Sequence, residues 1–461
     1  MGIEMKRNNN HSFQQDFTQG KLGIQILKFS IPLIFSNLLQ VLFNMTDIAV
    51  VGQFAGSDSL GAVGSTSILV TLFTTLLIGI AGGINVLVAQ AIGAGKTEDT
   101  QKVVHTAAIV SLIFGIIVWL TGLLLAVPIL GALNTKPELI GKAALYIQIY
   151  FWGMPALSLY NFGNAVLSAA GDTKRPLACL SASGIVNVAL NLLLVIVFKM
   201  DVAGVAVASV LSMYLSAALV LRLLVRSRES YGIRWKLLRV DSEKLKAILK
   251  IGIPSGAQNA IFQFANLFVQ RSVNYFSATM VSGNSAAANA DAFIYDIMAA
   301  FYSACACFIG QNFGAGKKDR VVKSYLISLA YSFGIGAVLG LLLIVFGRPF
   351  LSIFTPDEAV IEAGMNRLMI MGFSYAVSAF MDCTIAASRG LGETLAPTGF
   401  VIMGSCVFRV IWIYTVFEHY KTIQSLYLLY ICSWTLTGIA EIIYFIKLYK
   451  RTWGNSSKLS V

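Results

Sequence analysis

From Gly61 to Gly95 the chain carries no charged side chain, and Val103 to Pro128 is equally bare apart from the titratable His105. About 20 consecutive apolar residues cross a bilayer as a helix, and runs of 18 or more argue for such a span. Soluble folds are poorly served by stretches of this length. Charged residues make up 12% of the 461, against about 25% in soluble domains, which is too few to cover a globular surface. No long apolar–polar alternation of the kind a transmembrane barrel needs is present. The fold expected is an all-α integral membrane protein of twelve transmembrane helices in two pseudo-symmetric six-helix bundles, with the lipid bilayer as its solvent.

The expected spans are 28–51, 63–91, 104–127, 142–169, 177–198 and 202–225, then 250–273, 285–313, 324–346, 361–388, 398–418 and 423–447. They divide the chain into a cytoplasmic N-terminal segment (1–27), an N-lobe (28–225), a cytoplasmic linker (226–249), a C-lobe (250–447) and a cytoplasmic tail (448–461). The opening Met1 to Lys21 is polar and lacks the short apolar core and cleavage site of a signal peptide. With the N-terminus inside, 26 of the 34 Lys and Arg fall on the inner side, nine of them between Arg222 and Lys250. That is the positive-inside pattern, and it predicts a plasma-membrane protein with both termini cytoplasmic. The net charge of +12 is then accounted for by topology and anionic lipid. No nucleic-acid partner is expected, because no basic stretch accompanies a soluble domain, and no obligate protein partner is evident. All six cysteines lie in apolar segments and read as buried, inert thiols rather than metal ligands or disulfides.

The chain repeats itself. Leu27-Lys28-Phe29-Ser30-Ile31-Pro32 returns as Leu249-Lys250-Ile251-Gly252-Ile253-Pro254, at an offset of 222. Gln90-Ala91-Ile92-Gly93-Ala94-Gly95-Lys96 returns as Gln311-Asn312-Phe313-Gly314-Ala315-Gly316-Lys317, and Gly171-Asp172-Thr173 aligns with Gly392-Glu393-Thr394, both at 221. Six spans per half give both halves the same orientation, related by an axis along the membrane normal, as in parallel-repeat transporters that bind at the interface of the halves. Gly93-Ala94-Gly95-Lys96-Thr97 imitates the end of a phosphate-binding loop, but the required earlier glycine is Gln90 and the repeat copy has Lys318 for Thr97. It reads as a turn in which glycine ends a helix. With no nucleotide-hydrolysing module, uphill transport would draw on an ion gradient. No nucleophile–base or metal constellation suggests an enzyme, and no cofactor is expected.

In span 1, Asn37, Gln40, Asn44 and Asp47 share an arc of about 80° at 100° per residue. In span 7, Asn259, Gln263, Asn266, Gln270 and Asn274 do the same, and the duplication maps Asn37 to Asn259 and Asn44 to Asn266. One polar residue of this kind usually bonds a neighbouring helix; two symmetry-matched stripes predict a water-accessible cavity lining. Ionisable residues within spans are expensive and point to function. Asp47 lies near the outer end of span 1. Asp382 lies deep in span 10 on a face with Tyr375 and Ser378. Their repeat partners are Val269 and Asn161, so the acids are asymmetric on a symmetric scaffold. A desolvated carboxylate can hold a proton or a cation, or be spent on a salt bridge to Arg271, Arg389 or Arg409. Asp291 and Asp296 read as interfacial, and Glu441 with Arg409 as structural partners.

These patterns resemble the multidrug and toxic compound extrusion (MATE) family over residues 20 to 450. The features that carry the likeness are Asn44-Met45-Thr46-Asp47 ahead of Val51-Gly52, the Gln-x-x-Gly-x-Gly turn after span 2 and Gly-Asp-Thr-Lys-x-Pro after span 4. Gln311-Asn312-x-Gly-Ala-Gly and Arg389-Gly390-Leu391-Gly392-Glu393-Thr394 carry it in the second half. The resemblance implies an antiporter that exports amphipathic, cationic compounds in exchange for Na⁺ or H⁺, the coupling ion. It implies that Asp47 couples the ion, surrounded by Asn187, Asn191 and Ser209. The position of Asn191 is commonly Asp in the family, so one negative charge is missing. A second branch of the family pairs an acid in span 10, matched by Asp382, with an acid in span 7, where this chain has Phe262 and Gln263. The expectation is one coupling acid per lobe. The alternative is a flippase for lipid-linked saccharide precursors, which would favour an arginine-lined cavity for the pyrophosphate; only Arg271 and Arg409 are candidates for it.

Overall fold

A computed structural model describes residues 15–132 and 135–454. The first fourteen residues and those after 454, which include half of the expected tail, lie outside the described residues. Each of the twelve expected spans coincides with a helical passage. The N-terminal half contains α1 (Leu22–Phe54), α2 (Ser57–Gly93), α3 (Thr97–Ala132), α4 (Pro137–Phe151), α5 (Met154–Ala169), α6 (Lys174–Leu192) and α7 (Asp201–Arg226). The C-terminal half contains α8 (Ser242–Val273), α9 (Ala278–Gly314), α10 (Lys318–Ser352) and α11 (Glu358–Gly390). It ends with the short α12 (Leu395–Val401), α13 (Phe408–Trp412) and α14 (Glu418–Tyr420), and with α15 (Ile423–Gly454).

Ten of these passages are long and apolar enough to cross a membrane by themselves. The two that fall short have visible reasons. Span 4 is broken between α4 and α5 at Trp152 and Gly153, where Pro155 stands at the start of the second piece; proline suits a helix's first turn, where its missing N–H is not needed. Span 7 is α8, whose amide stripe lowers its hydropathy. Spans 5 and 11 carry π-helical stretches, at Leu193–Val197 in one and at Ile402–Val407 and Ile413–Phe417 in the other.

The repeated motifs do matching work. Gly95 and Gly316 both have positive φ (68° and 69°), as do Gly171 and Gly392 (90° and 89°). Only glycine takes that conformation without cost. The mimic of a phosphate-binding loop is therefore a helix end, built twice. Gly93 and Gly314 have a second duty. A Cβ on Gly93 would lie 1.9 Å from the Gln311 carbonyl oxygen, and one on Gly314 would lie 2.0 Å from that of Gln90. The ends of α2 and α9 cross backbone to backbone at these points.

The lobes meet on the side that carries the linker. Along α2 and α8, Gly79 and Gly83 face Gly252 and Gly256 so closely that a Cβ on Gly79 would sit 2.3 Å from Gly256 N. Below that contact Gln90 Nε2 donates to Gly390 O (2.9 Å) and Gln311 Nε2 donates to Ala169 O (2.7 Å). The segment preceding α1 completes the closure. Phe17 is wholly buried, stacked on Phe308 at 3.8 Å and edge-on to Phe29 at 5.5 Å. Arg320 holds the segment from the C-lobe, donating to the carbonyls of Phe17 (2.8 Å), Gln19 (3.0 Å) and Gly20 (3.0 Å). A part of the chain read as a polar cytoplasmic segment thus contains an apolar plug, and α1 starts six residues before the expected span.

Candidate functional site

On α1 the exposed apolar residues Ile24, Ile31, Leu42 and Met45 lie on the side opposite to Asn37, Gln40, Asn44 and Asp47. The amide stripe therefore faces away from lipid. Gln40 and Asn44 are exposed, and Asn37 is half-buried with Nδ2 donating to Asp296 O at 2.8 Å. On α8, Asn259, Gln263, Asn266 and Gln270 continue the same helical face as Gly252 and Gly256, which touch α2. Exposure rises outward along it: the glycines are packed, Asn259 and Gln263 are half-buried, and Gln270 is exposed and donates to Asn274 Oδ1 at 3.0 Å. The face that joins the lobes on the linker side becomes an amide-lined face as the lobes part. Asn266 departs from this, since its Oδ1 accepts from Arg409 of its own lobe at 2.9 Å. Asn161, half-buried on α5, bonds none of the other candidates.

Three of the expected site residues come together around Asp47. Asn191 Nδ2 on α6 donates to one carboxylate oxygen, and Ser209 Oγ on α7 donates to the other at 3.0 Å. The same Asn191 amide reaches Asn187 Oδ1, one turn earlier, at 3.2 Å, so the pair acts as one unit on a helix face. Asn191, Asn187 and Ser209 are all buried. The Asn191 side-chain oxygen, Oδ1, has no hydrogen-bond partner among the described residues.

The setting of α7 is anchored two turns before Ser209. Lys199 and Asp201 take the left-handed conformation (φ 54° and 53°), an uncommon cost for residues with side chains. Lys142 Nζ on α4 bridges Asp201 (2.7 Å) and Ser59 Oγ (2.8 Å), tying the start of α7 to α4 and α2. Tyr146 and Tyr150 of α4, stacked at 5.7 Å, lie within the field of Asp47. Sequence reasoning missed these tyrosines. Their one available signal was the i, i+4 spacing of two aromatic hydroxyls in an otherwise apolar helix.

The C-lobe differs from expectation in its pairings. Tyr375 and Ser378 do not serve Asp382: Tyr375 Oη donates to Asp291, and Ser378 bonds its own helix's carbonyl at residue 375 (2.9 Å). Asp291 is occupied by a tyrosine and an arginine. It receives both Tyr375 and the buried Arg367, whose other nitrogen donates to Asn284 Oδ1 at 2.8 Å. Arg409 is not the partner of Glu441. Its guanidinium lies between the rings of Phe262 (4.6 Å) and Tyr430 (4.7 Å), wholly buried. Neither Asp47 nor Asp382 forms an ion pair among the described residues. Around Asp382 the groups that act on it are Arg389 on its own helix and Tyr302 on α9.

Two six-span bundles related by an internal repeat and packed together on the linker side define a multi-pass membrane transporter. The chain belongs to the MatE family, whose model matches residues 32–193 and again 254–415. A Bacillus subtilis protein described as "Probable multidrug resistance protein YoeA" is 27% identical, over 80% of this chain and 81% of its own length. A Thermotoga maritima protein described as "Probable multidrug resistance protein NorM" is 25% identical, over 81% of each. A solved structure described as the outward-facing conformation of a multidrug resistance MATE family transporter of the MOP superfamily superposes with a TM-score of 0.90. It is 21% identical and covers 96% of this chain and 100% of that one. The flippase alternative finds no support. Arg271 is exposed at the end of α8 and Arg409 is sealed under two aromatic rings, so the arginines do not line an open cleft.

Proposed function

We propose that this transporter is a secondary antiporter of the plasma membrane, with both termini cytoplasmic, that exports amphipathic, cationic compounds in exchange for Na⁺ or H⁺. The observation that supports it best is the reception of Asp47 by Asn191 and Ser209 from two other helices. A carboxylate in that setting has amide and hydroxyl oxygens beside it and no ion-pair cation. It can bind a proton or a sodium ion, and either would change the charge of the lobe. An ion can drive a conformational exchange only through a difference in its affinity for the two states. Neutralising Asp47 where α1, α6 and α7 converge supplies such a difference, because those helices must stay packed around it for the ion to remain coordinated. Asp382, which is not related to Asp47 by the repeat, is the coupling acid of the C-lobe. The amide faces of α1 and α8 provide hydrogen bonds without fixed charge, which suits substrates of varied shape.

The test is efflux of ethidium from liposomes containing the purified protein, with pH and Na⁺ gradients imposed independently. The wild type should respond to one gradient, and Asp47→Asn and Asp382→Asn should each reduce that response. If both variants keep the full ion dependence, the coupling assignment is wrong.

A further inference from the structure

The family resemblance left the C-lobe with a single acid, because span 7 offers Phe262 and Gln263 in place of a carboxylate. The fold brings a second acid from another direction. Glu441 on α15 is wholly buried, and neither of its carboxylate oxygens has a hydrogen-bond partner. Gly438, one turn before it, packs against the backbone of Met381, the neighbour of Asp382 on α11. The charged groups that act on Glu441 are Arg389 and Asp382, and Arg389 feels both acids.

The charges do not balance. The charge of one guanidinium reaches two carboxylates, it forms an ion pair with neither among the described residues, and it is engaged elsewhere: Arg389 Nη2 donates to Gln258 Oε1 at 2.9 Å, while its Nε has no partner. One oxygen of Asp382, Oδ2, is buried without a partner as well. The remaining polar groups around the cluster are neutral, namely Tyr295 and Tyr302 on α9, Tyr444 on α15 itself, and Thr398 on α12, which bonds Gln258 at 3.3 Å. Among the described residues no further cation pairs with it, for Arg409 is held by Asn266, Phe262 and Tyr430. A buried bare carboxylate is not sustained without a compensating charge; it takes up a proton or a cation.

We propose that Glu441 is the second ion-binding carboxylate of the C-lobe, acting with Asp382 across Arg389 to hold one monovalent cation, a proton or Na⁺. The site joins α11 to α15, so its occupancy is felt by two helices of the same lobe. Arg389 neutralises one acid and the bound ion the other. Loss of the ion leaves an excess negative charge that only rearrangement or water entry can relieve. This inference rests on the antiport reading, from which it takes the coupling role, but the binding site can be tested separately.

The first arm uses ethidium efflux from liposomes with Glu441→Gln and Glu441→Asp. Glutamine is the shape of a protonated glutamate, so it should fold, bind dye and reduce the ion dependence as Asp382→Asn does, whereas aspartate should retain it. Full ion dependence in Glu441→Gln overturns the proposal. The second arm needs no variant. Glu441 is the one buried glutamate among the described residues, so ¹³C-carboxyl glutamate labelling of the wild type isolates its infrared band. A protonated carboxyl band that disappears on raising pH or adding Na⁺ supports the site, whereas a labelled spectrum without one overturns it. If wild-type efflux ignores both gradients, the antiport reading fails and the infrared arm alone decides whether Glu441 binds an ion. If Glu441→Gln does not fold, the same arm decides.

Discussion

Gln311, at the end of α9, donates its side-chain amide to the carbonyl oxygen of Ala169, the last residue of α5 in the other lobe, at 2.7 Å. Gln90 makes the repeat-related bond to Gly390 at 2.9 Å. Each half thus caps the other half's fourth span, and the two bonds close the linker side crosswise. Replacing Gln90 and Gln311 together by Ala should shift the population toward a form open on that side. Nitroxides at the exposed positions 96 and 318 should then report a longer distance by pulsed electron resonance. Each single change should cost about 1–3 kcal/mol, because a buried carbonyl loses its donor. An unchanged distance distribution in the double variant would show that the crossing of Gly93 and Gly314 closes that side without help.

The plug before α1 should be a separable part of this closure. Phe17→Ala removes a buried ring stacked on Phe308, and such truncations typically cost about 3–5 kcal/mol where the site cannot collapse. Arg320→Ala removes three bonds to carbonyls of the same segment. In both variants the amides of residues 15–21 should exchange with deuterium faster than in the wild type, while those of α5 and α7 keep their protection. Equal protection throughout would mean that the segment is held by the lobes and contributes nothing to holding them.

Gly79→Ala should be severe and Gly64→Ala mild, although both change the same helix. The added methyl at 79 meets Gly256 N at 2.3 Å, while at 64 nothing lies within 4 Å. Backbone cannot move aside as a side chain can, so Gly79→Ala should lower the thermal unfolding midpoint of the purified protein, at a cost of about 1–3 kcal/mol or more. At 64, alanine should be neutral or slightly stabilising, since a helix interior favours it over glycine.

Asn191→Asp restores the charge that the family commonly has beside Asp47. Two carboxylates at that distance cannot both remain ionised without a cation. The variant should bind Na⁺ or a proton more tightly than the wild type, seen as a lower ion concentration for half-maximal efflux. Ser209→Ala should weaken Na⁺ binding, because an oxygen ligand is lost, but tighten proton binding, because the charged carboxylate loses a donor, in either case by about 1.5–3 kcal/mol at most, the worth of a hydrogen bond to a charged group. Identical ion dependence in all three proteins would remove Asp47 from the coupling scheme.

Arg367 and Asp291 form a buried ion pair, and breaking it should cost more than deleting it. Arg367→Met leaves Asp291 with only Tyr375 as a donor and should destabilise by about 3–5 kcal/mol. Adding Asp291→Leu should recover much of that loss, measured as thermal stability in detergent. No recovery would mean that the pair orders Asn284 and Tyr375 beyond its charge balance.

The spans, the duplication and the glycine turns were legible in the sequence because each is local. Hydropathy over some twenty residues makes a span, and the offsets of 221 and 222 survive in short motifs whose glycines cannot be replaced. The amide stripes were legible for the same reason, since 100° per residue sets a face without reference to neighbours. The grouping of Asn187, Asn191 and Ser209 with Asp47 came from family resemblance, not from periodicity. The C-lobe pairings were not legible at all. Helix periodicity places Tyr375 on one face with Asp382, but it does not show that Tyr375 turns to Asp291, nor that Arg409 lies under aromatic rings apart from Glu441.

By itself, then, the sequence determined how many times the chain crosses the membrane, that it does so as two copies of one design, and which faces are polar. Tertiary structure decided which charge meets which: Arg367 with Asp291, Arg409 with amide and aromatic rings, and Arg389 with the Gln258 amide. It also decided that the segment before α1 is a plug. The physical reason is the same in each case. Helical periodicity sets directions within one helix, but the rotation and depth of one helix against another follow from close contacts such as Gly79 on Gly256 and Gly438 on Met381. Those contacts join residues more than fifty positions apart, and no local pattern carries them.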